Sequence, residues 1–177
     1  ARPDLSAAIN GMRGAVFAAI SRCVSHLLDR AIWHSLTTVH ADLCEGDVRA
    51  RRFVPAVHGF AAARDDDPEA QAALAALARP GAGLVLVEAD VAPTPPGLRC
   101  ERVAALDQML QEEHAPGPLA EDAVDLGDRD AADMLALAGL TRPGPFFPAT
   151  HRMGGFVGIR QGGQLIAMAG ERLRLPG

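Results

Sequence analysis

The sequence predicts an α+β protein with a mixed, mostly antiparallel sheet flanked by helices. Two observations carry that prediction. An alanine- and leucine-rich helix follows a capping Asp67, and Pro68 takes its first position, where the missing N–H costs nothing. After residue 120 the predicted order is strand, helix, helix breaker, strand, tight turn and strand, and two glycines form the turn.

Composition limits the class of protein. The chain has 177 residues, of which 49% are hydrophobic and 22% charged, as in globular proteins and unlike disordered ones. No apolar run reaches the roughly 20 residues needed to cross a bilayer. The net charge of −5 argues against sequence-independent nucleic-acid binding, which needs a basic surface. We therefore expect neither a membrane nor a nucleic acid as partner.

Missing residue types and motifs exclude several chemistries. The chain contains no Lys and no Tyr, so a Lys Schiff base and a Tyr general acid are impossible. It shows no serine nucleophile elbow, no paired glycosidase carboxylates and no dinucleotide-binding fingerprint. Three cysteines do not form a disulfide framework, and no clear export signal is present. The expected location is the cytoplasm.

The first part of the chain predicts a helical extension and a small α/β region. Residues 1–30 read as a helical extension whose helix runs from about Leu5 to Arg30, and residues 31–115 as an accessory α/β region. The predicted elements of this region are a helix over Ile32–Thr38, a turn over His40–Gly46, one or two strands over Arg49–Ala63 broken at Pro55, the capped helix through Ala78, a buried strand over Leu84–Glu88, a Pro-rich loop over Val91–Gly97 and a strand at Arg99–Val103. Residues 99–111 remain ambiguous between strand and helix.

A linker separates this region from the second part. Glu112–Asp122 contains Pro116, Gly117 and Pro118 and is the best linker candidate in the chain. The elements predicted over 120–177 are a strand at Ala123–Leu126, a helix from Ala131 to about Leu140 capped by Asp128 or Asp130, a breaker at Arg142–Pro145, and two strands at Phe156–Arg160 and Gln164–Ala169. The strands are joined by Gln161-Gly162-Gly163.

The second part resembles the GNAT superfamily of N-acetyltransferases. The resemblance rests on Met134–Leu137, Leu140–Phe146, Phe156–Arg160 and Leu165–Arg172. It implies that residues 120–177 form the first half of a GNAT-like core: first strand, first helix, substrate-side loop, and second and third strands. It also implies acetyl transfer from acetyl-CoA, as co-substrate, to an amine on a small molecule or peptide.

The resemblance implies where the acetyl-CoA pyrophosphate binds. In the family it lies on a turn of the form Gln/Arg-x-x-Gly-x-Gly/Ala between the fourth strand and the next helix, where backbone N–H groups hold the anion. This sequence ends before that strand, so the expectation is a core incomplete at its C-terminus. No cofactor-binding residue is assigned, and as this truncated chain the protein is expected to bind acetyl-CoA weakly.

Two candidate sites follow, each with an alternative. In the family the loop after the first helix lines the acceptor groove, which implies substrate contacts at Thr141, Arg142, Pro143, Gly144, Pro145 and Phe146; the alternative is plain helix termination with core phenylalanines. Glu171 on the third strand is a candidate general base, provided that burial raises its pKa. The alternative is an ion pair with Arg172 or Arg174, or a solvated edge position.

No metal site is predicted. Cys23, His26, His34, His40 and Cys44 lack the paired spacing of structural zinc. The functional prediction is an acyltransferase of the GNAT type. The alternative is a non-catalytic, truncated or degenerate module that acts by protein–protein pairing, as a homo-oligomer or along an open strand edge after Leu165.

Overall fold

The structure is a computed structural model that describes residues 26–109, 117 and 120–176. Most of the helix predicted over Leu5–Arg30 lies outside those residues. Its end, Leu27–Arg30, forms a short 3-10 helix whose first turn is capped by His26.

The first half contains a three-stranded antiparallel sheet with two helices. Strands β1 (Cys44–Gly46), β2 (Ala50–Phe53) and β3 (Ala61–Ala63) pair in the order β1-β2-β3. Helices α1 (Ala31–Thr37) and α2 (Pro68–Ala76) pack against this sheet. The strand pair β2–β3, interrupted around Pro55, and helix α1 agree with the sequence prediction.

The cap of α2 is confirmed. The Glu69 N–H donates to Oδ1 of Asp67 at 2.9 Å, and Pro68 is the first helical residue. The helix ends at Ala76, two residues before the predicted end at Ala78. Ala70 and Leu74 are buried on its inner face.

Three predictions in this half are wrong. His40–Gly46 is not only a turn, because Cys44–Gly46 forms β1 against β2. Leu84–Glu88 is no strand: its one bridge runs parallel from Val85 to Phe60, just before β3, and no ladder continues on either side of it. Arg99–Val103 is exposed and forms no strand.

The second half contains a second antiparallel sheet covered by one helix. Strands β4 (Ala123–Leu126), β5 (Phe156–Gln161) and β6 (Gln164–Gly170) pair in the order β4-β5-β6. Helix α3 (Ala131–Thr141) packs on β6. All these elements agree with the prediction, and the fold is α+β. Within the described residues every strand pair is antiparallel, so the mixed sheet reduces to the single bridge at Val85.

The tight turn between β5 and β6 is confirmed. Gln161 pairs with Gln164, and the two residues between them have positive φ, 58° at Gly162 and 84° at Gly163. Positive φ at both central residues matches the hairpin turn that two glycines accept without strain.

The predicted cap of α3 is partly wrong. Asp130 occupies the N-cap position, but its side chain makes no bond to the first turn. Its carboxylate instead accepts from the Gly127 N–H (3.0 Å) and from Nη2 of Arg160 (2.6 Å). A 3-10 helix over Asp128–Asp130 leads into α3.

The segment between α3 and β5 joins the two halves. The Ala149 N–H donates to the Ala56 carbonyl at 2.8 Å, and the hydroxyl of buried Thr150 donates to the Val57 carbonyl at 2.7 Å. The same hydroxyl accepts from the Phe147 N–H at 2.7 Å. Met153, fully buried, packs into the core of the first half. None of the helices in the described ranges is both long and apolar enough to cross a membrane.

Candidate functional site

The loop after α3 begins with a left-handed residue. Arg142 has φ 48° and ψ 50°, and its N–H donates to the Ala138 carbonyl at 2.8 Å. This conformation turns the chain out of the helix before Pro143, which cannot continue it. The hydroxyl of Thr141 donates to the Leu137 carbonyl at 3.0 Å, so this side chain is bonded to the backbone of its own helix.

The middle of the loop is exposed and lies beside Arg172. Pro143, Gly144 and Pro145 are exposed. A Cβ at Gly144 would lie 3.7 Å from both terminal nitrogens of the Arg172 guanidinium, which therefore lies within contact distance of the loop. This contact places the loop beside the end of β6.

Phe146 belongs to the core, as the alternative interpretation of this loop holds. It is half-buried, and its ring meets Phe156 edge-on, with centroids 6.0 Å apart and planes at 87°. That geometry is the favoured one for aromatic pairs. Phe146 thereby holds the loop on the sheet and leaves the exposed residues before it free to contact other molecules.

Glu171 follows the last residue of β6 and forms an ion pair. Its Oε2 accepts from Nε of Arg174 and from the Gly155 N–H at 3.2 Å. These bonds lower the pKa of Glu171 below its usual value, and the bond from Arg174 has the larger effect. The ion-pair alternative is therefore confirmed, with Arg174 as partner. A general base at neutral pH would need the opposite direction of shift.

Gly154 permits the close approach of Glu171. A Cβ at Gly154 would lie 2.4 Å from Cβ of Glu171 and 2.7 Å from its Oε2, closer than atoms can pack. The segment before β5 and the segment after β6 are therefore in direct contact at this end of the sheet. Only a glycine leaves room for that contact.

A cavity of about 370 Å³ opens beside this contact. The first half contributes Val39, His40, Asp42 and Leu43 to its walls, and the second half contributes Arg152 to Gly155 and Arg174. Neither Glu171 nor the loop residues 141–146 line it. Glu171 thus borders the cavity through its bond to Arg174, while the cavity walls come from residues not predicted as a site.

His40 forms the buried part of this wall. It is 4% exposed, and the Arg174 backbone N–H donates to its Nε2 at 3.3 Å. Burial is the main cause that lowers its pKa, so the imidazole is neutral at pH 7. The sequence argument considered His40 only as a zinc ligand. Its partner Arg174 is 134 positions away, so no local pattern could indicate the pair.

No metal centre is found within the described parts of the chain. There, no three His, Cys, Asp or Glu side chains come together in a way that could hold an ion. Cys44 and Cys100 are both free thiols.

The fold resembles that of a solved structure. A candidate acetyltransferase from the GNAT family of Novosphingobium aromaticivorans DSM 12444, solved at 1.80 Å, superposes with a TM-score of 0.70 and 40% sequence identity over 85% of this chain. The chain belongs to the GNAT family. It spans 66% of the length of that GNAT protein. No protein-family model matches the sequence, and the curated proteins contain no significant match.

The expected correspondence of β4, α3, β5 and β6 to the first strand, first helix, and second and third strands of a GNAT core stays a prediction. The pyrophosphate-binding turn expected after a fourth strand has no counterpart in the described residues: Gly162-Gly163 is a hairpin turn with no helix after it, and Gly154-Gly155 leads into a strand. The described residues therefore supply no fit for the acetyl-CoA pyrophosphate. The described residues do form the end of the β5–β6 hairpin that lies away from its turn, where β5 begins and β6 finishes.

Proposed function

We propose that the protein is an N-acetyltransferase of the GNAT type that moves an acetyl group from acetyl-CoA to an amine in the cytoplasm. The observation that carries the proposal is the 40% identity, over 85% of this chain, to a GNAT protein described as a candidate acetyltransferase. The proposal assigns the described residues to the acceptor side of the reaction and derives no step for the acetyl-CoA side.

The acceptor surface, in this proposal, is the end of the sheet where β6 finishes. The exposed residues Pro143, Gly144 and Pro145 form one border of this surface. The fixed φ of the two prolines limits the movement of the backbone there. Glu171 has a positioning role, because its bonds to Gly155 and Arg174 fix the segments on both sides of β5 and β6. A fixed frame is what orientation of a nucleophile requires.

The test is acetylation by the product of the complete open reading frame. The protein is incubated with radiolabelled acetyl-CoA and a mixture of amino acids, polyamines and peptides, and acetylated products are identified by mass spectrometry. Transfer to an amine above the rate without enzyme is expected. No transfer to any amine would refute the proposed function.

A matched pair of variants tests the acceptor surface. Glu171→Gln removes the charge that holds Arg174, whereas Glu101→Gln removes an equal charge from an exposed pair with Arg99. We expect the first variant to raise KM for the amine at unchanged overall stability, and the second to have no effect. Equal KM values for both variants would contradict the positioning role.

A second candidate function is pairing along β6. This strand is the edge of its sheet within the described residues, and Ile166 on it is 47% exposed. An exposed apolar edge strand is a template for another chain. In this candidate a second copy pairs along β6, and light scattering of wild type should show a dimer that Ile166→Lys makes monomeric. A monomeric wild type would exclude it.

A further inference from the structure

The cavity between the two halves has the size of a small-molecule site. Its volume of about 370 Å³ lies within the usual range for ligand pockets, roughly 300–1,000 Å³. Its walls are mostly polar, with Val39, 42% exposed, as an apolar contact surface, and Arg152 and Arg174 among the lining residues. A ligand there would contact both halves of the molecule.

Arg152 gives the cavity an unused cation. Its side chain is exposed, and within the described ranges its guanidinium makes no hydrogen bond or ion pair, whereas Arg174 across the cavity is paired with Glu171. A guanidinium presents a planar fork of N–H donors that matches a carboxylate or a phosphate. Arg152 is thus the group on this wall that remains free to bind an anion.

The other charges around the cavity favour a carboxylate over a phosphate. Asp42 lies in the wall and Glu171 borders it, and the charges of both, together with that of Arg174, act on the pKa of buried His40. The two carboxylates offset the two arginines, and neutral His40 adds no charge. Asp42 and Glu171 repel a phosphate dianion more strongly than a carboxylate monoanion, whose single charge Arg152 alone can neutralise.

We propose that this cavity binds a small molecule through its carboxylate, with Arg152 as the principal ligand. Because the proposed function, on which this second step rests, requires an amine acceptor, the molecule is a carboxylate-bearing amine, that is, an amino acid or a close derivative. The exposed side chain of Val39 is the apolar surface available to the side chain of that ligand.

The experiment measures binding without acetyl-CoA. The full chain is titrated calorimetrically with each of the free L-amino acids and with the carboxamide of each one that binds. We expect at least one free amino acid to bind. Its carboxamide should bind at least about tenfold more weakly, because a charge-assisted hydrogen bond is lost. This comparison uses the unaltered protein, so it does not depend on how any variant folds.

Two variants test the residue. Arg152→Gln should weaken binding by about tenfold or more, and Arg129→Gln, an equal charge change at an exposed arginine that does not line the cavity, should leave it unchanged. Circular dichroism of both variants checks the fold. The inference is overturned if no amino acid binds, if the carboxamide binds equally well, if inorganic phosphate binds as tightly, or if Arg152→Gln binds as wild type does.

The outcomes separate this inference from the proposed function. Binding of an amino acid, with no acetyl transfer to any amine, would refute the proposed function and leave the carboxylate site standing. Acetyl transfer to an amine, with no amino acid binding at the cavity, would refute the carboxylate site and leave the acetyltransferase standing.

Discussion

Burial of His58 predicts that the protein loses stability between pH 6.5 and pH 4. His58 is 2% exposed, the Phe60 N–H donates to its Nδ1 at 3.2 Å, and its ring lies 3.7 Å from that of Phe60, centroid to centroid. Among the described residues its Nε2 has no hydrogen-bond partner. Burial, with a smaller effect of Arg172, lowers the pKa of His58 from 6.5 to about 4.

The sign follows from which state binds the proton first. The unfolded chain takes up a proton near pH 6.5, whereas the folded chain resists until about pH 4. Stability is therefore full above pH 6.5 and falls as the pH drops towards 4. The lowering of the pKa corresponds to about 3 kcal/mol in total and to about 2 kcal/mol by pH 5.

Urea unfolding of wild type and His58→Gln at pH 7 and pH 5 measures this effect. Wild type should lose about 2 kcal/mol more than the variant between the two pH values, because glutamine does not titrate. Other groups that titrate in this range, including His40, are common to both proteins and cancel in the difference. Equal losses would refute the reasoning, as would an NMR titration of the His58 ring with a midpoint near 6.5.

Three further substitutions test the packing. Asp67→Ala should cost about 1 kcal/mol in urea unfolding, the usual loss for a helix cap, and an unchanged midpoint would count against that cap. Gly158→Ala should cost about 1–3 kcal/mol of unfolding free energy, because the new Cβ would lie 2.7 Å from two buried leucine side chains. The control Gly139→Ala, in open space on α3, should stabilise the protein by up to about 1 kcal/mol. Equal effects of the two substitutions would contradict the predicted crowding at Gly158. Thr150→Val should cost about 2 kcal/mol through the lost bonds to Phe147 and Val57, and a neutral result would show that they do not hold the halves together.

Features set by neighbouring residues were predictable from the sequence. The cap at Asp67 and the turn at Gly162-Gly163 need only the residues within one turn of the chain, and both are confirmed. Helix α3 was predicted for the same reason. Strand β1 was missed because three residues carry no readable alternation, and its hydrogen bonds to β2 decide its structure. The Leu84–Glu88 run is apolar enough for a strand but finds only one bridge, at Val85.

The cavity lay beyond sequence reasoning because its walls meet only in the folded chain. Glu171 was predicted either as a base or as the partner of Arg172 or Arg174; where the chain returns towards the first half, the pair with Arg174 forms and lowers the pKa of Glu171. The same return brings the Arg174 backbone to His40, which comes from the other half. The site therefore depends on docking between the halves, and Thr150 is the buried polar link in that docking. Thr150→Val should consequently weaken amino-acid binding at the cavity as well as stability, whereas Asp67→Ala, remote from the junction, should lower stability alone.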